Sequence, residues 1–370
     1  MKKILFLIND LDYGGAERVL VNLVNALDKS KYEIYIKTLF DVGVNRDYLN
    51  EDINYLPGFK YVFRGNVPLM KLLSPKALAK IVIKEEYDLV ISFLEGTASR
   101  IVSGYPGKKV AWIHTVHNSE ENISRTFRSI DEMRNCYNSF DLIACVADSV
   151  RENFLEYSKT ETPCVTLYNV NDTDDILRKS EESQDVIIET NGCINIVTCG
   201  RLINSIKGFD RLIRIHKRLI DEGINNKLYI LGECPDKNNL IELISELKIE
   251  SSCFLLGFQN NPYKYIKAAD LFVCSSYVEG FSTAVTEALV LGIPAVSTDV
   301  SGAHELLGYK NEYGIVVENS DDEIYNAVKR MITEYGLIEK YSALAAERGK
   351  RFRSRNAALA VENMIDELLR

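Results

Sequence analysis

The chain has 370 residues, 46% of them hydrophobic and 26% charged, with a formal net charge of −9. That length predicts two domains, and the composition excludes disordered, collagen-like and low-complexity classes. The acidic balance gives no reason to expect nucleic acid as a partner. No apolar run approaches the roughly 18 residues that a membrane-spanning helix needs. The apolar stretch after Lys3 meets Asn9 and Asp10 too early for a signal peptide and reads as a first buried strand. The eight cysteines include no Cys-x-x-Cys pair, so buried reduced thiols and a cytoplasmic location are expected.

In chain order, strand-like apolar runs alternate with helical patterns, which predicts parallel sheets wrapped by helices. Residues 3–9, 33–40, 89–94, 110–114 and 142–146 read as strands of the first half. Between the first two, Val19, Leu20, Leu23, Val24 and Leu27 fall at helical spacing within residues 16–27. In the second half, residues 195–199, 227–232, 253–256, 271–274 and 295–297 repeat the scheme. Helices fit residues 211–222, 239–248 and 282–291 between them. From Asn171 to Asn191 the chain is acidic and polar with little periodicity, as at a domain boundary. The predicted organisation is a Rossmann-like domain over residues 1–172, a linker over 173–190, a second domain over 191–355 and a terminal helix over 356–370. Two doubly wound α/β domains of this kind bind ligands beyond the carboxyl ends of their strands, so both are expected to turn their functional loops toward a shared cleft.

Three loops carry chemistry. The first runs from Asn9 to Glu17 through Gly14 and Gly15, where glycines let the backbone approach a ligand and the next helix offers free N–H groups to an anion. It is neither a three-glycine dinucleotide fingerprint nor a Walker loop, and alone it fits a tight turn without a ligand almost as well. In the second, Gly200-Arg201 ends a strand and Lys207-Gly208 precedes a helix; an arginine fork and a lysine point charge there suit a diphosphate. The third runs from Ser275 to Ala288. Glu279 stands in the loop, Ser282 or Thr283 supplies a cap-type hydroxyl, and Glu287 lies in the otherwise apolar run from Ala284 to Val290. A carboxylate there is costly without a partner, and sugar hydroxyls would supply one.

Together these loops resemble glycosyltransferase family 4, the retaining, nucleotide-sugar-dependent enzymes of the GT-B fold. The likeness covers nearly the whole chain. Gly14-Gly15-Ala16-Glu17 is similar to the family's N-terminal glycine loop, Gly200-Arg201 with Lys207-Gly208 to its diphosphate clamp, and Glu279 with Glu287 to its pair of glutamates separated by seven residues. The loop from Asp299 to Glu305 and the terminal helix also fit. The resemblance implies that Arg201 and Lys207 neutralise the leaving diphosphate and that Glu279 sits by the donor sugar. Glu287 would take the ribose hydroxyls, and the amides around Gly15 and along Gly280, Phe281, Ser282 and Thr283 would hold phosphate and sugar. His114, at the end of the strand over residues 110–113, matches the family histidine near the reacting sugar, with His117 a near neighbour. His114 and Glu279 are thus the expected catalytic residues.

A cationic clamp can stand in for a metal, and the sequence has no Asp-x-Asp at a donor-domain strand end, so neither metal nor cofactor is expected. On the acceptor side, Glu95 and the loop from His114 to Ser119, with His117, are the candidates for a glycan or lipid-linked glycan. Residues 60–84 carry Lys60, Arg64, Lys71, Lys76, Lys80 and Lys84, interleaved with Val67, Leu69, Met70, Leu72, Leu73, Leu78 and Ile81. That is the profile of an interfacial helix drawn to anionic lipid, hence to the inner face of the cell membrane; a solvated helix face fits as well. The rival readings are a two-domain binding protein without turnover, a degenerate partner subunit and a nicotinamide-dependent oxidoreductase. The last would need a third glycine and a better acidic residue than Asp41.

Overall fold

A computed structural model describes residues 1–12, 14–60, 66–183, 188, 192–233 and 236–370. Tyr13 of the first loop, Arg64 of the basic stretch, Asp185 of the acidic stretch and Cys234 lie outside the described residues. The chain divides into two compact units, Met1–Asn171 with Ser354–Arg370, and Asp172–Arg353.

The first unit is built on seven parallel strands, β1 (Lys2–Ile8), β2 (Tyr32–Thr38), β3 (Asn54–Leu56), β4 (Leu89–Ser92), β5 (Lys109–Ile113), β6 (Leu142–Cys145) and β7 (Cys164–Thr166), ordered β3-β2-β1-β4-β5-β6-β7. β4 and β5 are buried along their whole length and β1 from Ile4 to Ile8, as in parallel sheets covered on both faces. Strand order reverses where β4 joins β1, which opens a crevice beyond the carboxyl ends of these two strands. The final helix, Ser354–Leu368, packs on the helix Gly15–Ala26. Its buried Glu362 accepts the Asp28 backbone N–H at 3.1 Å and the Arg355 guanidinium at 3.3 Å, while Asp366 accepts the Tyr32 hydroxyl at 2.8 Å.

The second unit holds six parallel strands, β8 (Ile194–Cys199), β9 (Asn226–Leu231), β10 (Cys253–Gly257), β11 (Leu271–Cys274), β12 (Ala295–Thr298) and β13 (Ile315–Val317), ordered β10-β9-β8-β11-β12-β13. Order reverses between β8 and β11, so the crevice of this sheet opens at Cys199 and Cys274. Its core is formed by Leu212, Ile215 and Leu219 of the helix Phe209–Asp221 against Leu228, Ile230, Val273 and Val296 of the strands.

Two stretches differ from the sequence reading. The acidic segment after Asn171 contains the helix Thr173–Ser180, which packs on the helix Tyr263–Ala268. Asp172 caps it through the Asp175 N–H, with acids in its first turn and Arg178 and Lys179 in its last; these complement the helix dipole, so the charges that suggested a linker are the helix's own end signals. The basic stretch forms two short helices, Asn66–Lys71 and Pro75–Val82, where one interfacial helix was expected. Ser74 caps the second through the Ala77 N–H, and Pro75 at its first position breaks the continuity. All seven described cysteines are free thiols, five of them buried.

Candidate active site

The second unit brings its predicted residues together at the crevice between β8 and β11. Lys207 follows β8 through a short turn, and Glu279 follows β11. The Lys207 ammonium donates to Glu279 Oε1 at 2.6 Å, and the Ser276 hydroxyl donates to the same oxygen at 2.6 Å. Burial alone would discharge Lys207, but the adjacent Glu279 carboxylate outweighs it and holds the ammonium above the ordinary lysine range. Lys207, Glu279, Ser276 and Ser282 line one recess with Cys199 and Cys274. Ser282 caps the helix Thr283–Val290, accepting the Val285 N–H, so that helix directs its N-terminal end toward the recess. Phe281 is buried with its ring 6.3 Å from Phe352, so its side chain serves packing. Glu287 is half-buried on the same helix, close enough to Cys199 to oppose its ionisation. Arg201 is exposed and pairs with no carboxylate among the described residues.

The turn at Lys207 depends on Gly208. Its φ of +63° is left-handed, and a Cβ there would stand 2.4 Å from the Ser275 carbonyl. The Ser275 hydroxyl in turn donates to the carbonyls of Lys207 and Gly208 at 3.0 and 2.9 Å. Beneath these loops lies Arg211, which the sequence reading passed over. It is 2% exposed and donates to the carbonyls of Ser275 at 2.8 Å and Ser276 at 3.2 Å and to Asn319 Oδ1 at 2.8 Å, with its guanidinium 3.9 Å from the centre of the Tyr277 ring. Thr298 adds a hydroxyl bond to the Ser276 carbonyl at 2.6 Å. Arg211 is a positioning residue: it fixes the backbone that aims Ser276 and Glu279 at Lys207. Its signal was present, since an arginine four residues before Ile215 and one before Leu212 falls beside the buried stripe.

In the first unit, Gly15 opens the helix Gly15–Ala26 directly after β1, with Gly14 in an extended capping conformation. The Glu17 carboxylate folds back over Gly14, where a Cβ would meet it at 1.6 Å. His114 follows β5 and is 7% exposed, with Phe93 at 4.8 Å and Trp112 at 6.4 Å between ring centres. Burial pushes its imidazole down to about 4, against a smaller opposing pull from Glu95, so the ring is neutral near pH 7. Its Nε2 is buried with no hydrogen-bond partner. Glu95 accepts the His114 backbone N–H at 2.9 Å and the Thr115 hydroxyl, so the carboxylate first of all shapes the His114 loop. His117 bonds Asn122 through Nδ1 at 2.9 Å and exchanges backbone bonds with the Asn153 amide at 2.7 and 2.9 Å. Asp10 accepts the Asp12 N–H at 3.1 Å, so this Asp-x-Asp serves as a local turn.

Two doubly wound parallel-sheet units of this topology place the chain in the GT-B class of glycosyltransferases. Anabaena HepE in complex with UDP and glucose superposes with a TM-score of 0.78 at 19% identity, covering 99% of this chain and 100% of that one. Sucrose-phosphate synthase from Thermosynechococcus elongatus gives 0.78 at 14% identity, covering 100% of this chain and 99% of that one. The chain belongs to glycosyltransferase family 4: residues 13–175 match the model of Glycosyltransferase Family 4, and residues 179–351 that of Glycosyl transferases group 1. Among its relatives is the N-acetylgalactosamine-N,N'-diacetylbacillosaminyl-diphospho-undecaprenol 4-alpha-N-acetylgalactosaminyltransferase of Campylobacter jejuni, 29% identical over 95% of this chain and 96% of the relative. Another is the lipopolysaccharide core biosynthesis glycosyltransferase LpsD of Rhizobium meliloti, 24% identical over 90% and 89%. The chain is a glycosyltransferase, and no nicotinamide or turnover-free reading is needed.

Proposed function

We propose that this glycosyltransferase moves a sugar from a nucleoside diphosphate donor, uridine first among the bases, onto a lipid-linked glycan with retention of anomeric configuration and without a metal. The observation that carries the donor reading is Lys207 held 2.6 Å from Glu279 at the mouth of the helix Thr283–Val290. When the bond between the anomeric carbon and the diphosphate oxygen breaks, the electron pair leaves with the diphosphate. Lys207, the helix N–H groups and the exposed Arg201 stand ready for that charge. The acceptor hydroxyl attacks from the same face, and its proton passes to the departing phosphate oxygen. His114, neutral and with an unpartnered Nε2, suits a hydrogen bond to a donor sugar hydroxyl. The Campylobacter jejuni relative's diphospho-undecaprenol acceptor and HepE's bound UDP support the substrate classes.

The test is a thermal-shift screen with UDP, GDP and ADP in excess chelator. A ligand at about 100 times its dissociation constant adds roughly 2.7 kcal/mol. Lys207→Met should lower the transfer rate about 10²–10³-fold, the cost of removing one preorganised donor at a developing anion. No shift with any nucleotide would overturn the donor reading, and loss of transfer in chelator with recovery on adding manganese would overturn metal independence.

The acceptor side supports a membrane contact. Leu69, Leu72, Leu73 and Ile81 are exposed, Leu72 at 74%, and Lys76, Lys80 and Lys84 stand exposed around them. The backbone beneath is held firmly. Arg100, 1% exposed, donates to the carbonyls of Met70 at 3.0 Å and Leu73 at 2.8 Å while pairing bidentately with Glu132, and Arg128 donates to those of Lys71 and Leu72. Leucines fixed outward among lysines fit an anionic lipid surface, where each basic residue contributes about 1 kcal/mol. Among the described residues no helix is long and apolar enough to cross a membrane. Cosedimentation with anionic but not neutral vesicles at low salt is expected, and Leu72→Asp should weaken it; equal failure on both vesicle types would overturn the contact.

A further inference from the structure

Two thiols stand at the crevice of the second unit, and the transfer chemistry uses neither. β8 and β11 run in register as Ile196 with Leu271 and Val197 with Phe272. Two residues further along each strand are Cys199 and Cys274, the last residues of β8 and β11. Equal offsets on paired parallel strands send both side chains to the same face of the sheet. Both sulfur-bearing residues line the recess that holds Lys207 and Glu279, and both are free thiols. Burial first, with Glu287 adding to it at Cys199 and Glu279 at Cys274, pushes each thiol above the ordinary range. At neutral pH both therefore carry their protons and are weak nucleophiles toward reagents that need a single thiolate.

We infer that Cys199 and Cys274 form a chelating dithiol site inside the nucleotide recess, whose ligand is a trivalent arsenical of the type R–As=O. Arsenic forms one bond to each sulfur, the two thiol protons leave with the oxygen as water, and arsenic stays trivalent, so no oxidant is required. A bridging atom suits this pair better than a disulfide. Neighbouring strands lie about 4.7–4.9 Å apart, whereas a disulfide needs its Cβ atoms about 3.5–4.5 Å apart. A soft centre with bonds to sulfur of about 2.3 Å, as for zinc, spans the wider gap. Occupied, the site places an organic group beside Lys207 and Glu279, in the space a diphosphate would need. Only this competition rests on the donor reading; the chelation does not.

The experiment is intact-mass analysis of the full chain with phenylarsine oxide. One phenylarsenic group per chain is expected, formed with loss of water, removed by a 1,2-dithiol and resistant to an equal concentration of a monothiol. Cys199→Ser and Cys274→Ser should each abolish the stoichiometric adduct, while Cys145→Ser, at a second buried thiol, should keep it; melting curves establish that each variant is folded. An adduct that persists in both recess variants, or is lost with Cys145→Ser, overturns the site. Saturating UDP should slow adduct formation at least tenfold. Formation at an unchanged rate would leave the dithiol site standing and remove the recess from the nucleotide reading.

Discussion

His216 and His114 are both buried, and burial pushes both imidazoles down to about 4. His216 lies near the end of the helix Phe209–Asp221, by the amino ends of β9 and β10, with Nδ1 2.6 Å from Asn226 Oδ1 and Nε2 2.9 Å from the Ser252 hydroxyl. His114 follows the carboxyl end of β5, and its Nε2 meets no partner. One ring has both nitrogens satisfied by its own chain, and the other keeps a buried nitrogen open. A buried polar atom left without a bond costs about 1–3 kcal/mol, a cost that a bound ligand can offset. A histidine whose two nitrogens the fold satisfies thus stands against one whose Nε2 stays open, although their burial and titration look alike.

Acid provides the largest effect. Both folded-state values lie below the unfolded value of about 6.5, so the stability each ring contributes is complete above about pH 6.5. It is lost as pH falls toward 4, while the unfolded chain takes up protons that the folded chain refuses. Each ring accounts for roughly 3 kcal/mol over that window, measurable by urea unfolding from pH 7.5 to 4. In His216→Leu the second unit should lose its share of this slope; an unchanged slope would break the comparison.

At neutral pH, His216→Leu should cost about 1–3 kcal/mol by stranding Asn226 and Ser252, with kcat of the folded enzyme unchanged. His114→Phe, which keeps the buried ring and removes only its nitrogens, should do the reverse. Transfer should fall about tenfold or more, equivalent to roughly 1.4 kcal/mol, while the melting temperature holds. If His114→Phe melts as early as His216→Leu, the open Nε2 is not a functional vacancy.

The sequence made the strands that line the two crevices legible, because each is a continuous apolar run bounded by polar or glycine residues. β11 coincides with its predicted span of 271–274, and β1, β8 and β12 differ only at their ends. The three-residue edge strands β3, β7 and β13 went unseen, since so short a segment shows no period. Family likeness implied a place beside the donor for Lys207 and for Glu279, but not the bond between them, which joins two loops 72 residues apart and which Ser276 shares through the same carboxylate oxygen. The open nitrogen of His114 was equally hidden. It arises from what Phe93 and Trp112 bring beside the ring, and no spacing encodes that.

The terminal helix Ser354–Leu368 belongs to the first unit, so the second unit is, in topological terms, an insertion between that unit's sheet and its last piece. During synthesis the ribosome must therefore make all of residues 172–353 before the outer face of the helix Gly15–Ala26 is covered. At about 5–20 residues per second this takes about 10–40 seconds. Through that interval the nascent first unit lacks the carboxylates of Glu362 and Asp366 that tie down Asp28 and Tyr32.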